Sequence, residues 1–95
     1  MQCKVTTFSR HALQRMFTRG LPASAVTALV ATGDVIEDYP TDFPYPSCLL
    51  LGLIGGKPVH VVAARDPISE TCVVLTVYIP DAARWSADFR VRRVP

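Results

Sequence analysis

The chain has 95 residues, 49% of them hydrophobic and 19% charged, so it can build a core and is excluded from the intrinsically disordered class. That length carries a single domain over residues 1–95 and no second core. A net charge of only +2 excludes a uniformly basic nucleic-acid coat, and the longest apolar run, Cys48–Ile54, falls far short of the ~20 residues of a membrane span.

Val5-Thr6-Thr7 reads as a short, weak opening strand, and polar Thr6 and Thr7 come too early for a secretory leader. Ser9 is a good N-cap for a helix running to about Arg19, and Phe8 is placed to staple onto Leu13. Gly20 suits the residue just past the helix end. At about 100° per residue, Phe8, Ala12, Leu13, Met16 and Phe17 fill one side of this helix, and Arg10, His11, Gln14, Arg15 and Thr18 the other. A second helix follows Pro22, turns Val26, Leu29 and Val30 inward and ends at Gly33. The connection is so short that the two helices are expected to pack as a hairpin.

From Val35 the period changes to two. Val35–Tyr39 is a strand ended by Pro40, and the proline-bearing stretch from Thr41 to Ser47 is a loop. Cys48–Ile54 and Val59–Arg65 flank Gly55-Gly56, a tight hairpin turn, and Thr71–Ile79 is the last strand, reached through a turn at Asp66–Glu70. The tail from Asp81 to Pro95 reads as a helical turn and an extended end. The whole is an α+β fold: an N-terminal helix hairpin packed on an antiparallel four-stranded sheet.

Cys3, Cys48 and Cys72 cannot all pair and show no Cys-x-x-Cys spacing, so each reads as a small buried hydrophobe in a reducing, cytoplasmic compartment. Charge is segregated: residues 1–20 carry Lys4, Arg10, Arg15 and Arg19 and no acid, whereas residues 33–46 carry Asp34, Glu37, Asp38 and Asp42 and no base. Eight of the ten cations are arginine, whose planar fork grips phosphate or carboxylate at two points.

Candidate chemistry centres on two histidines. His11 and Arg15 are one helical turn apart at the border of the apolar stripe, suited to the edge of a cleft. His60 shares a strand face with Val62 and Ala64. If Arg65 pairs with Thr71, then Thr76 falls opposite His60 and Tyr78 lies diagonally beside it, a polar island in an apolar sheet. Imidazoles and a phenol can share the proton work of metal-free RNA cleavage, with arginines stabilising the phosphorane. Trp85, Tyr39, Tyr45 and Phe43 are candidate stacking rings for a base. No P-loop, dinucleotide fingerprint, zinc-protease motif or serine nucleophile elbow is present, and no spacing supports a metal site of His11, His60 and Asp66. No cofactor is expected.

The ordered set Ser9-x-His11-Ala12-x-x-Arg15-Met16-x-x-Arg19-Gly20-Leu21, Gly33-x-Val35-Ile36-Glu37-x-Tyr39, Leu51-Gly52, Pro58-Val59-His60-Val61-Val62, Thr76-Val77-Tyr78-Ile79-Pro80-Asp81, Trp85 and Arg92-Arg93 resembles the bacterial family known as domain of unknown function 4258. The resemblance covers nearly the whole chain. It implies a RelE-like fold of the barnase–EndoU–colicin group and a metal-independent endoribonuclease, the toxin of a toxin–antitoxin pair. It also implies RNA as a partner, presented by the ribosome or another factor, and a small zinc-finger antitoxin. On that reading His11, Arg15, His60 and Tyr78 are catalytic, either histidine serving as base. Arg19, Thr76, Trp85 and Arg93 bind substrate, and cleavage leaves a 2′,3′-cyclic phosphate. The rival expectation is a non-catalytic module that binds protein or nucleic acid.

Overall fold

The computed structural model describes residues 1–94. In chain order its elements are β1 (Val5–Phe8), α1 (Arg10–Arg19), α2 (Ala23–Thr32), β2 (Asp34–Tyr39), β3 (Ser47–Ile54), β4 (Lys57–Arg65) and β5 (Thr71–Tyr78). The strands form one sheet in the order β1-β5-β4-β3-β2. β2 to β5 make the expected antiparallel meander, turned between β3 and β4 by Gly55 and Gly56, at φ 59° and 79°.

The sheet has five strands, not four. β1 lies parallel to β5, from Val5 opposite Thr71 to Phe8 opposite Val74. This pairing joins the first strand to the last, and nothing local in a segment as short and threonine-rich as Val5–Phe8 announces such a distant partner. The same junction overturns the reading of all three cysteines as unpaired hydrophobes. Cys3 and Cys72 are joined in a disulfide, with Cα atoms 5.6 Å apart, while Cys48 stays free and buried. With two of the three cysteines crosslinked, cysteine usage no longer argues for a reducing compartment.

α1 begins where Ser9 Oγ accepts the Ala12 N–H at 3.0 Å, and it closes on Gly20 at φ 64°, the left-handed conformation that glycine adopts without steric cost. The two helices lie side by side on one sheet face, α1 over β5 and α2 over β3 and β4. Each therefore rests on its own strands, and the expected hairpin survives as a chain reversal, not as the main packing contact. Val26, Leu29 and Val30 are buried as expected. On α1 only Ala12 and Met16 are buried; Leu13 is half-exposed and Phe17 is 90% exposed, because α1 rests chiefly on β5 and has sheet beneath only part of its apolar stripe. The core fills this layer with Leu50, Val59, Val61, Ala63, Val74 and Val77 beneath the helices.

The opposite sheet face is covered by residues 80–94. They form turns and a single antiparallel bridge, Trp85 to Arg92, and contain no helix. Buried Trp85 and half-buried Phe89 belong to this third layer, under which His60 lies. Among the described residues, no helix is long and apolar enough to cross a membrane.

Candidate active site

β1 stops pairing at Phe8, so the outer edge of β5 from Leu75 onward has no strand beside it. The chain turns there into α1: the Ser9 N–H donates to the Val74 carbonyl at 2.9 Å, and Ser9 Oγ donates to the Leu75 carbonyl at 2.9 Å. These two bonds fix the first turn of α1 against the open edge. His11, exposed on that turn, reaches round the edge to place Nε2 3.0 Å from Thr76 Oγ1.

Thr76 and Tyr78 lie on the same face of β5, about 7 Å apart by the two-residue strand repeat. Tyr78 stands opposite His60 on β4, and Thr76 opposite Val62. The sequence placed Thr76 opposite His60, a difference of two residues with two separable causes. The hairpin pairs Arg65 with Cys72 instead of Thr71, and a β-bulge at Leu75 inserts a further residue. A shift of one would have sent Thr76 and Tyr78 to the helix side. A shift of two keeps them beside His60.

His60 has no exposed surface. Its Nε2 lies 2.9 Å from the Phe89 carbonyl and its Nδ1 3.1 Å from the Tyr78 hydroxyl. A carbonyl only accepts, so Nε2 carries the proton and Nδ1 offers its lone pair to the Tyr78 O–H. Burial lowers the His60 pKa, which keeps the ring neutral at neutral pH, and burial raises that of Tyr78, which keeps the phenol protonated. The Trp85 ring meets the His60 ring edge-on at 4.4 Å, and the Arg92 guanidinium lies 4.7 Å over the Trp85 ring. Arg92 in turn holds Glu37 on β2, Nε to Oε2 at 2.9 Å and Nη2 to Oε1 at 3.2 Å. That pairing keeps the Glu37 carboxyl below the usual carboxylate range.

The expected residues thus divide. His11 joins Thr76, and His60 joins Tyr78, as two adjacent pairs at the open edge of β5. Arg15 and Arg19 are exposed and have no hydrogen-bond or ion-pair partner among the described residues; their helical spacing places them on the His11 flank of α1. Trp85 is 4% exposed, meets the His60 ring edge-on and lies beneath the Arg92 guanidinium. Arg93 donates Nε to the Ala82 carbonyl at 3.0 Å and so braces the C-terminal layer.

Sequence reasoning missed Arg84, which lines a cavity of about 470 Å³ with Tyr78, Ile79, Asp81, Trp85 and Arg92. It also missed Glu37 and the Phe89 carbonyl, since a backbone atom leaves no signature in a sequence. The available signals were Glu37 within Gly33-x-Val35-Ile36-Glu37-x-Tyr39 and the adjacent pair Arg92-Arg93, but nothing in the string separates the arginine that holds Glu37 from its neighbour. Among the described residues, no three His, Cys, Asp or Glu side chains are grouped to hold a metal ion.

The family model described as domain of unknown function (DUF4258) matches residues 8–79, from the end of β1 to just past β5. The chain belongs to this family. No curated protein and no solved structure matches it.

Proposed function

We propose that this protein is a metal-independent endoribonuclease with a RelE-like mode of action, the toxin of a toxin–antitoxin pair. The observation that carries the reading is the placing of two pairs two residues apart on one face of β5: a reachable imidazole, His11, on Thr76, and a phenol, Tyr78, on a buried neutral imidazole, His60. The Tyr78 hydroxyl donates to His60 Nδ1, leaving its own lone pair for a substrate proton. As the 2′-OH yields its proton to the Tyr78 oxygen, the phenolic proton passes to His60 Nδ1, so His60 is the base and Tyr78 its relay. The 2′-oxygen attacks phosphorus, the P–O5′ bond breaks, and protonated His11 supplies the proton to the leaving 5′ oxygen. The products are a 2′,3′-cyclic phosphate and a 5′-hydroxyl. Arg84, which lines the cavity beside Tyr78, and Arg15 and Arg19 on the His11 flank have no ion-pair partner among the described residues and are the cations available to the phosphorane, the type of charge that stabilises such a transition state.

The substrate is RNA, presented by the ribosome or a comparable partner, and a small zinc-finger protein is the expected antitoxin. The test is incubation of the purified protein with an RNA oligonucleotide and its all-DNA counterpart. Cleavage of RNA alone, leaving cyclic phosphate ends, is the expected result, with a loss of about 100-fold or more in His11→Ala. Salt-sensitive binding without cleavage would instead establish the rival, a non-catalytic module.

A further inference from the structure

Among the described residues, His60 has one hydrogen-bond partner within the sheet, the Tyr78 hydroxyl, which can donate or accept and so tolerates either imidazole tautomer. Only the Phe89 carbonyl discriminates between them, and it comes from outside the sheet and outside the segment that the family model matches. We propose that residues 81–94 are a positioning strap that fixes which nitrogen of His60 carries the proton, and hence which way the Tyr78 hydroxyl points, with Glu37 and Arg92 as its latch.

The strap is built to hold one carbonyl in place. Its own bonds, Ser86 N–H to the Val91 carbonyl at 2.7 Å and Arg93 N–H to the Arg84 carbonyl at 2.8 Å, fold it into a compact loop. Phe89 at the loop's tip has φ 61°, a left-handed conformation that a side-chain-bearing residue keeps only when its surroundings enforce it. Two ion pairs enforce it from β2: Arg90 to Asp34, and the two-point grip of Arg92 on Glu37. Trp85 fills the space between that grip and the His60 ring.

The consequence is directional. With the strap latched, Nε2–H is committed to Phe89, Nδ1 accepts from Tyr78, and the Tyr78 oxygen can take up a proton. With the strap lifted, Nε2 loses its acceptor and the proton is free to reside on Nδ1. Nδ1–H then donates to the Tyr78 oxygen, and the phenolic hydrogen turns outward. The same pair would then give up a proton instead of receiving one. Glu37 and Arg92 are thus positioning residues, acting on Tyr78 through Phe89 and His60. The inference rests on the reading of Tyr78 as a proton-carrying group, but its test needs no RNA.

The experiment is nitrogen-15 NMR of the imidazole rings in the full chain. Wild type is expected to show His60 with Nε2 protonated and Nδ1 bare. Glu37→Ala is expected to mix the two tautomers and to speed solvent exchange of the Nε2 proton about tenfold or more, as local opening does. The reversed pair, Glu37→Arg with Arg92→Glu, is expected to restore the wild-type spectrum. If Glu37→Ala does not fold, Arg92→Lys, which keeps the charge but loses the two-point fork, gives the same readout. A wild-type proton on Nδ1, or an unlatched variant with unchanged tautomer and exchange, overturns the proposal. Absence of RNA cleavage alongside the expected spectra would overturn the ribonuclease reading alone.

Discussion

At His60, two hydrogen bonds and an aromatic edge compensate for taking an imidazole out of water. His60→Ala removes the ring and leaves the Phe89 carbonyl without its donor, and a destabilisation of about 3 kcal/mol is expected in chemical denaturation. The ring also links stability to pH. Its folded pKa is depressed, while the unfolded chain takes a proton near the ordinary value of about 6.5. As pH falls through that value, the unfolded state gains protons that the fold refuses, so stability drops until the depressed folded pKa is reached. Thermal midpoints of wild type should fall across this window, and those of His60→Gln should fall less. Equal slopes would remove His60 as the cause.

Elements show which features a sequence encodes and which it does not. β3, β4 and their glycine turn were legible because alternation and turn chemistry are local. The partner of β1 was not, because its pairing with β5 closes the long stretch from Val5 to Thr71. Thr76 and Tyr78 were placed on the His60 face despite a register off by two residues, since parity alone decides the face. The bulge at Leu75 had no glycine or proline to mark it. Two predictions belong at this scale. Replacing Cys3 and Cys72 together by Ser frees a loop closed over a separation of 69 residues, and a loss of about 4 kcal/mol is expected in denaturant unfolding. Gly52 lies where α2 crosses β3, and a Cβ there would sit 2.5 Å from Leu29 Cγ. Gly52→Ala should therefore cost about 1–3 kcal/mol by overpacking. An unchanged midpoint in either variant would show that the contact is not as described.

Across the molecule, the segregated charge of the sequence becomes a sidedness. Asp34 and Glu37 on β2 are engaged by Arg90 and Arg92 of the C-terminal layer, whereas Arg15 and Arg19, on the His11 flank of α1, have no ion-pair partner among the described residues. Most of the candidate site was visible as residue types at the right spacing. What the sequence could not supply was depth: that His60 and Trp85 lie beneath a third layer, and that His11 and Tyr78 remain at the edge. If the α1 flank carries the phosphate contacts, Arg15→Ala with Arg19→Ala should weaken RNA binding and lower its salt dependence by about one phosphate contact per arginine removed. An unaltered salt slope would place the RNA elsewhere. The most direct test of the proposed chemistry is the single-turnover rate of RNA cleavage by Tyr78→Phe, which keeps the ring and removes only the hydroxyl that bonds His60 and is proposed to relay the substrate proton. A loss of about 100-fold or more is predicted, with RNA affinity retained; cleavage at the wild-type rate would contradict it.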